Sequence, residues 1–210
     1  MDDHTIVRDG LCKSFSMKDD FIVVADTNSG RSAITLASWH CPDMILMDIS
    51  MPDLNGIDAT RQILAANSNI KVIALTMHPE IIYIMGILNA GVSGYILKSC
   101  SFEELIAGIK IVLSGERFFC EEARQVIANK KYSPFKDKPI SVFSLLSNKE
   151  REVLQLIAEG NKNNKIADKL NISIRTAEVH RAHLKKKLNI NTVAGLTKFA
   201  ISQGITSSEM

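Results

Sequence analysis

The residues that could do chemistry in the first half of this 210-residue sequence stand at the ends of short apolar runs. The run 44–47 closes on Asp48, the run 71–75 on Thr76 and the run 94–97 on Lys98, while Asp2 and Asp3 directly precede a helical pattern. Largely apolar runs of four or five residues are the length of strands buried on both faces and are too short for helices. In open parallel sheets, ligands bind just beyond the carboxyl ends of the strands, where Asp48 would stand. A strand-end Asp can also serve only as a cap for the next helix. Here three acids, a hydroxyl and an amine recur at the same end of their elements, which favours a ligand site.

The elements that must position these groups alternate. The periodicity predicts a helix over 4–16, a strand at 21–25, a helix over 29–39 and the strand ending at Asp48. Pro52 and Asn55-Gly56 break that strand, and a helix follows over 55–66. Then come the strand ending at Thr76, a helix over 80–90 closed by Gly91, the strand before Lys98, and a helix over 101–114 stopped by Gly115. Alternation of this kind predicts an α/β fold with a doubly wound parallel sheet.

The order and spacing of Asp2-Asp3, Asp48, Thr76 and Lys98 resemble the receiver domain of two-component response regulators, a flavodoxin-like fold, over residues 1–118. The resemblance implies that Asp48 accepts a phosphoryl group from a sensor histidine kinase. Asp2, Asp3, Asp48 and Ser50 would hold Mg²⁺, Thr76 and Lys98 would meet the phosphoryl oxygens, and Tyr95 would be the switch aromatic. The chemistry needs these types: a carboxylate attacking phosphorus requires a cation to neutralise developing charge, and Mg²⁺ takes one or two carboxylates with phosphate oxygen and water. Clustered acids repel, and a bound cation relieves that repulsion without protonation. The usual first receiver strand, which leads into the acidic pair, is missing from this sequence. In the order 2-1-3-4-5 that strand is central. Each buried backbone group left unpaired costs about 1–3 kcal/mol, against a domain stability of about 5–15 kcal/mol. The expectation is therefore a natural start upstream, with a degenerate receiver as the alternative.

Residues 119–142 read as a linker. A short helical pattern follows Glu121-Glu122, then come Lys130-Lys131, Pro134, Lys136, Lys138 and Pro139. Beyond it, residues 143–210 predict an all-α four-helix domain. Ser147 and Glu150 form a capping-box pattern ahead of a first helix that ends at Gly160. Helices over 163–170, 174–188 and 192–203 follow, the first two joined by a tight turn, as in a helix-turn-helix. The run Asn164-Lys165-Ile166-Ala167 with Ile172-Ser173, Thr176, Val179-His180-Arg181 and Lys187-Leu188 resembles the LuxR-type DNA-binding domain. Together the two resemblances describe a response regulator of the NarL/FixJ type. On the third helix, Ala177, His180, Leu184 and Leu188 share a core stripe opposite Arg175, Val179, Ala182 and Lys186. Glu178, Val179 and Ala182 are the expected base-reading residues. Asn164, Lys165, Thr176, Arg181, Lys186 and Lys187 are the expected phosphate contacts. On the last helix, Val193, Leu196 and Ala200 are the expected dimer element, and ordinary core packing is the competing role.

Composition agrees with this division. Residues 1–120 carry 9 basic against 14 acidic side chains, net −5, whereas residues 121–210 carry 16 against 9, net +7. Only the second half is suited to a polyanion such as double-stranded promoter DNA. Cys12, Cys41, Cys100 and Cys120 are scattered and read as reduced cytosolic thiols, so the expected compartment is the cytoplasm. No signal peptide or membrane-length apolar run is seen, and His180 and His183 lack partners at zinc-site spacing. A phosphatase of the haloacid-dehalogenase type is disfavoured because Ser50 breaks the Asp-x-Asp pattern, so no enzyme activity is expected. The sequence therefore points to a phosphorylation-controlled transcription factor that dimerises when active. A DNA-binding regulator with a degenerate receiver is the alternative.

Overall fold

The computed structural model describes residues 1–128 and 146–206. The chain divides into two compact units, Met1–Ser133 and Pro134–Met210.

The first unit is built on a four-stranded parallel sheet of order β1-β2-β3-β4, comprising β1 (Met44–Met47), β2 (Lys71–Thr76), β3 (Gly94–Leu97) and β4 (Phe118–Phe119). Side chains alternate across it, as the two-residue strand period requires. Ile45, Met47, Val72, Ala74 and Tyr95 enter one core with α2 (Gly30–His40), α3 (Gly56–Ala66) and α4 (Ile81–Ala90). Ile73, Leu75 and Ile96 enter the other with α1 (Thr5–Ser16) and α5 (Phe102–Leu113). Each such buried aliphatic side chain contributes about 1.5–3 kcal/mol. The helix starts follow local chemistry: Ser29, Asn55 and Ser101 cap α2, α3 and α5 by accepting from Ser32, Asp58 and Glu104 amides. A short α6 (Glu121–Ala128) follows β4 and buries Ala123 in the first core.

Residues 21–25, expected as a strand, carry no ladder. Their sequence suits a strand, but a strand needs an edge to pair with. Ile22, Val23 and Val24 are 86%, 43% and 49% exposed. A cleft of about 280 Å³ separates them from β1. Among the described residues, Met1 and Asp2 bridge this space through their main chain: the Asp48 amide donates to the Met1 carbonyl (2.9 Å), the Met1 nitrogen to the Leu46 carbonyl (3.1 Å) and the Asp2 amide to the Thr27 carbonyl (2.9 Å).

The second unit comprises α7 (Asn148–Ala158), α8 (Asn163–Leu170), α9 (Ile174–Leu188) and α10 (Val193–Ser202). Ser147 and Glu150 complete the expected capping box. Val153, Leu154 and Ile157 of α7, Ile166 and Leu170 of α8, Ala177 and Leu184 of α9, and Leu196 and Ala200 of α10 form its core. The α8–α9 turn passes through Asn171 in the left-handed region (φ 51°), a conformation Asn tolerates, and Ser173 caps α9 through the Thr176 amide.

Candidate functional site

Parallel register brings the strand-end residues together. Thr76 is the last residue of β2, and Asp48 and Lys98 each follow the last residue of their strand. Asp2 reaches them from the turn before α1, where its Oδ1 accepts from the His4 amide (2.9 Å) and its carbonyl accepts from Arg8 (2.9 Å). Lys98 Nζ lies 2.7 Å from Asp48 Oδ2 and 2.9 Å from Asp2 Oδ2. Asp2, Asp48 and Thr76 are almost wholly buried. Burial raises the Asp48 carboxyl above the ordinary aspartate range; Lys98 pulls it down, and Asp2 and Asp3 push it up again. Burial pulls the Lys98 ammonium down, but Asp48 and Asp2 outweigh it and hold it above the ordinary lysine value. One ammonium therefore serves several acids, and negative charge is left over.

That excess is what a hard cation would neutralise. Ligand atoms of Asp2, Asp3, His4 and Asp48 lie within 4.8 Å of one another. Asp3 Oδ1 is 2.9 Å from His4 Nδ1, yet it is buried without an aligned hydrogen-bond donor. The residues present fit a divalent cation.

Two histidines belong to this site although sequence reasoning passed over both. His4 touches the acids beside it. His78 lies two residues beyond Thr76, and that short offset within a strand-end loop was the available signal. Its amide donates to Thr76 Oγ1 (3.2 Å), its carbonyl accepts from the Tyr95 hydroxyl, and its Nε2 lies 2.7 Å from Ser50 Oγ. Tyr95 is fully buried, and burial raises its phenol well above the ordinary tyrosine value. Gly56 holds the Asp48 loop by close approach, because a Cβ there would meet the Asp48 carbonyl oxygen at 1.8 Å.

In the second unit, α9 presents the expected faces. Ala177 and Leu184 are buried, and His180 and Leu188 are half-buried. Arg175, Thr176, Glu178, Val179, Ala182, Lys186 and Lys187 are exposed, as are Asn164 and Lys165 on α8. Four of the expected phosphate contacts already have protein partners: Arg181 donates to Asn163 Oδ1 (2.8 Å), Lys187 Nζ to Glu150 Oε2 (2.7 Å), Thr176 Oγ1 lies 2.8 Å from Ser173 Oγ, and Asn164 Oδ1 accepts from the Lys165 amide (2.9 Å). Of the expected dimer residues, Leu196 and Ala200 are fully buried in the core of their own unit, and Val193 is 44% exposed.

Residues 1–110 match the response regulator receiver domain family, and residues 144–200 match the bacterial regulatory proteins of the luxR family. The chain is 32% identical over 209 residues to the response regulator UvrY of Escherichia coli K12, covering 100% of this chain and 95% of that protein. It is similar to a LuxR-family two-component response regulator from Aurantimonas sp. SI85-9A1 (TM-score 0.58, 32% identity, 62% of this chain and 93% of that one). It also resembles RcsB of Salmonella enterica serovar Typhimurium, whose structure was solved bound to the rprA promoter in the presence of the phosphomimetic BeF3⁻ (TM-score 0.56, 26% identity, 94% of each chain). The chain thus belongs to the two-component response regulators of the NarL/FixJ type, in which a receiver domain precedes a LuxR-type helix-turn-helix domain.

Proposed function

We propose that Asp48 is the phosphoryl acceptor of this response regulator and that its phosphorylation by a sensor histidine kinase controls promoter binding by α8 and α9. The observation that carries this reading is the convergence of Asp48, Lys98 and Thr76 at the carboxyl end of the parallel sheet, with Asp2 and Asp3 beside them. An Asp48 carboxylate oxygen forms the bond to phosphorus. The bond from phosphorus to the kinase histidine nitrogen breaks, and that nitrogen takes up a proton. Asp2, Asp3 and Asp48 would hold Mg²⁺, with Ser50 contributing through its main chain because its hydroxyl is engaged with His78. When bound, that ion supplies charge neutralisation at the phosphoryl oxygens. Lys98 leaves carboxylate for phosphoryl oxygen, and Thr76 turns its hydroxyl to another oxygen. New acceptors of this kind provide the differential affinity that a two-state switch requires.

Asn164, Lys165, Thr176, Arg181, Lys186 and Lys187 contact DNA phosphates, and Glu178, Val179 and Ala182 face base edges. Phe119 lies in β4 and α6 packs in the first core, so within the connector 119–142 the residues after Ala128, outside the described residues, couple the two units. The active form is a homodimer in which Val193 is the exposed member of the expected α10 set. No described helix is long and apolar enough to cross a membrane; as a promoter-binding regulator the protein works in the cytoplasm.

The test is phosphorylation by a small phosphodonor with Mg²⁺, read by intact mass beside Asp48→Asn. The reading expects one phosphoryl adduct, absent from the variant. An adduct that persists in Asp48→Asn would remove Asp48 from this role. No adduct in either protein would favour a DNA-binding regulator with a degenerate receiver.

A further inference from the structure

His4 turns toward the acids a ring that neither its own helix nor the phosphorylation chemistry employs. It is the N-cap of α1, where a side chain commonly turns onto the first helix amides, yet its side chain makes no cap hydrogen bond. The ring faces the acidic cluster instead: Nδ1 is 2.9 Å from Asp3 Oδ1, 3.3 Å from Asp2 Oδ1 and 4.0 Å from Asp48 Oδ2. The shortest of these contacts is not a hydrogen bond, because Asp3 Oδ1 is buried with no donor aimed at it. The two atoms border a shared space without bonding to each other. The His4 amide donates to Asp2 Oδ1 (2.9 Å) and Lys98 holds Asp2 Oδ2 (2.9 Å), so the Asp2 carboxylate is fixed beside the ring.

These spacings are those of one coordination shell. Donor atoms about 2.0–2.2 Å from a common ion lie about 3–3.5 Å apart as neighbours and about 4–4.4 Å apart across it. The ligand atoms of Asp2, Asp3, His4 and Asp48 all fall within 4.8 Å of one another, so small side-chain rotations would close them on an ion. With its proton on Nε2, the imidazole offers the Nδ1 lone pair. That nitrogen changes the class of cation: Mg²⁺ takes oxygen and keeps several waters, whereas imidazole suits zinc and its first-row neighbours.

We propose that His4 is a direct ligand through Nδ1, that it lets the acidic site take Zn²⁺ more tightly than Mg²⁺, and that the zinc-loaded receiver is held unphosphorylated. The proposal rests on the reading of Asp2, Asp3 and Asp48 as the cation site. With Mg²⁺ the acids suffice, and positions stay open for water and a phosphoryl oxygen. Asp2, Asp3, His4 and Asp48 together supply the four protein ligands of a closed structural zinc site, which leaves no position for phosphate. Asp48 then gives to the cation the oxygen that would attack phosphorus. Charge does not oppose this state, because three carboxylates balance the Lys98 ammonium and one dication.

The test is calorimetric titration of the full chain with Zn²⁺ and, separately, with Mg²⁺, in the parent, His4→Ala and Asp48→Asn. Asp48→Asn should weaken both cations. His4→Ala should weaken Zn²⁺ by about tenfold or more, since even an outer partner of a metal ligand is worth that much. Its Mg²⁺ affinity should stay within about twofold, because Mg²⁺ uses oxygen ligands. Nitrogen NMR of the imidazoles should show the His4 Nδ1 resonance shifted by Zn²⁺ and not by Mg²⁺. With Mg²⁺ and a phosphodonor present, Zn²⁺ should suppress the adduct read by intact mass, and His4→Ala should need about tenfold more Zn²⁺ for the same suppression. Zn²⁺ affinity that is unchanged in His4→Ala would overturn the proposal, whether zinc fails to bind or binds elsewhere, as at the exposed Cys41. Equal losses for both cations would sink it too, since His4 would then only hold the acids in place. An adduct that forms normally on the zinc-loaded chain would remove the inhibited state. Mg²⁺ binding that is absent from the parent, or indifferent to Asp48→Asn, would instead defeat the acids as the Mg²⁺ site, and the His4 resonance would still decide whether zinc is held here.

Discussion

Lys98 Nζ sits 2.7 Å from Asp48 Oδ2, and both side chains are almost entirely removed from solvent. Burial works against both charges, and the ammonium also serves Asp2 at 2.9 Å. Removing one partner of a buried pair leaves an uncompensated charge, which typically costs about 3–5 kcal/mol. Lys98→Met should therefore destabilise the first unit by about 3 kcal/mol, at the low end of that range because Asp48 can take up a proton. Urea unfolding of the first unit should show this loss. Millimolar Mg²⁺ should restore stability more in the variant than in the parent, because a cation then replaces the missing ammonium. Equal Mg²⁺ stabilisation of the two proteins would argue against the acids as the cation site.

Gly56 offers a sharper structural test. Its ideal Cβ would lie 1.8 Å from the Asp48 carbonyl oxygen, and its amide donates to the Ile49 carbonyl (2.8 Å). Backbone cannot yield as a flexible side chain can. Gly56→Ala should lower stability by about 1–3 kcal/mol or more, as overpacking does, and should slow Asp48 phosphorylation by displacing the loop that carries it. Normal phosphorylation in a stably folded Gly56→Ala protein would contradict this.

Much of this was legible in the sequence. The strand ends at Asp48, Thr76 and Lys98 were marked by residue type, because a charged or hydroxyl side chain after an apolar run marks where a buried strand surfaces. The capping box of Ser147 and Glu150 and the stripe through Ala177 and Leu184 follow local rules and were recovered. What local rules miss is partnership. Residues 21–25 have strand composition but no ladder, since pairing depends on a neighbouring edge. Gly56 reads as turn chemistry, whereas its tightest constraint is a carbonyl eight residues earlier. His78 looked unremarkable because its bonds to Ser50 and Tyr95 join separate strand ends. Arg181 and Lys187 looked free for phosphates, but Asn163 and Glu150 hold them.

The Glu150–Lys187 pair predicts a pH response. Burial disfavours the Glu150 carboxylate, but hydrogen bonds from Lys187 and Ser147 prevail and hold its pKa below the ordinary glutamate value. A depressed carboxyl pKa contributes stability that is complete above the unfolded-state value and is lost as pH falls through the folded-state value. The second unit should therefore lose stability on acidification through and below the ordinary glutamate range. Glu150→Gln should flatten that dependence, and Glu150→Ala should cost about 0.5–2 kcal/mol at neutral pH through loss of the cap. Urea midpoints against pH for the three proteins would check this; parallel curves for the parent and Glu150→Gln would rule the pair out as the source.

The same pair separates the basic residues of the proposed DNA interface. Lys165 and Lys186 are exposed, so an alanine at either should weaken binding to all duplexes alike and lower the salt slope by about 0.9 for each lost phosphate contact. Lys187→Ala should weaken binding too, but it should also destabilise the second unit, because it strips Glu150 of its cation. Glu178 differs in kind. It is exposed on the first turns of α9, where a carboxylate can accept from a cytosine amine. In selection from random duplexes, Glu178→Ala should relax preference at one base pair by about 1–3 kcal/mol while leaving the salt slope unchanged. Fluorescence anisotropy titrations of the selected duplex over a range of salt concentrations would distinguish these behaviours. A Glu178→Ala protein with an unaltered base preference would place α9 in a different register on the groove, with Val179 and Ala182 as the next positions to vary.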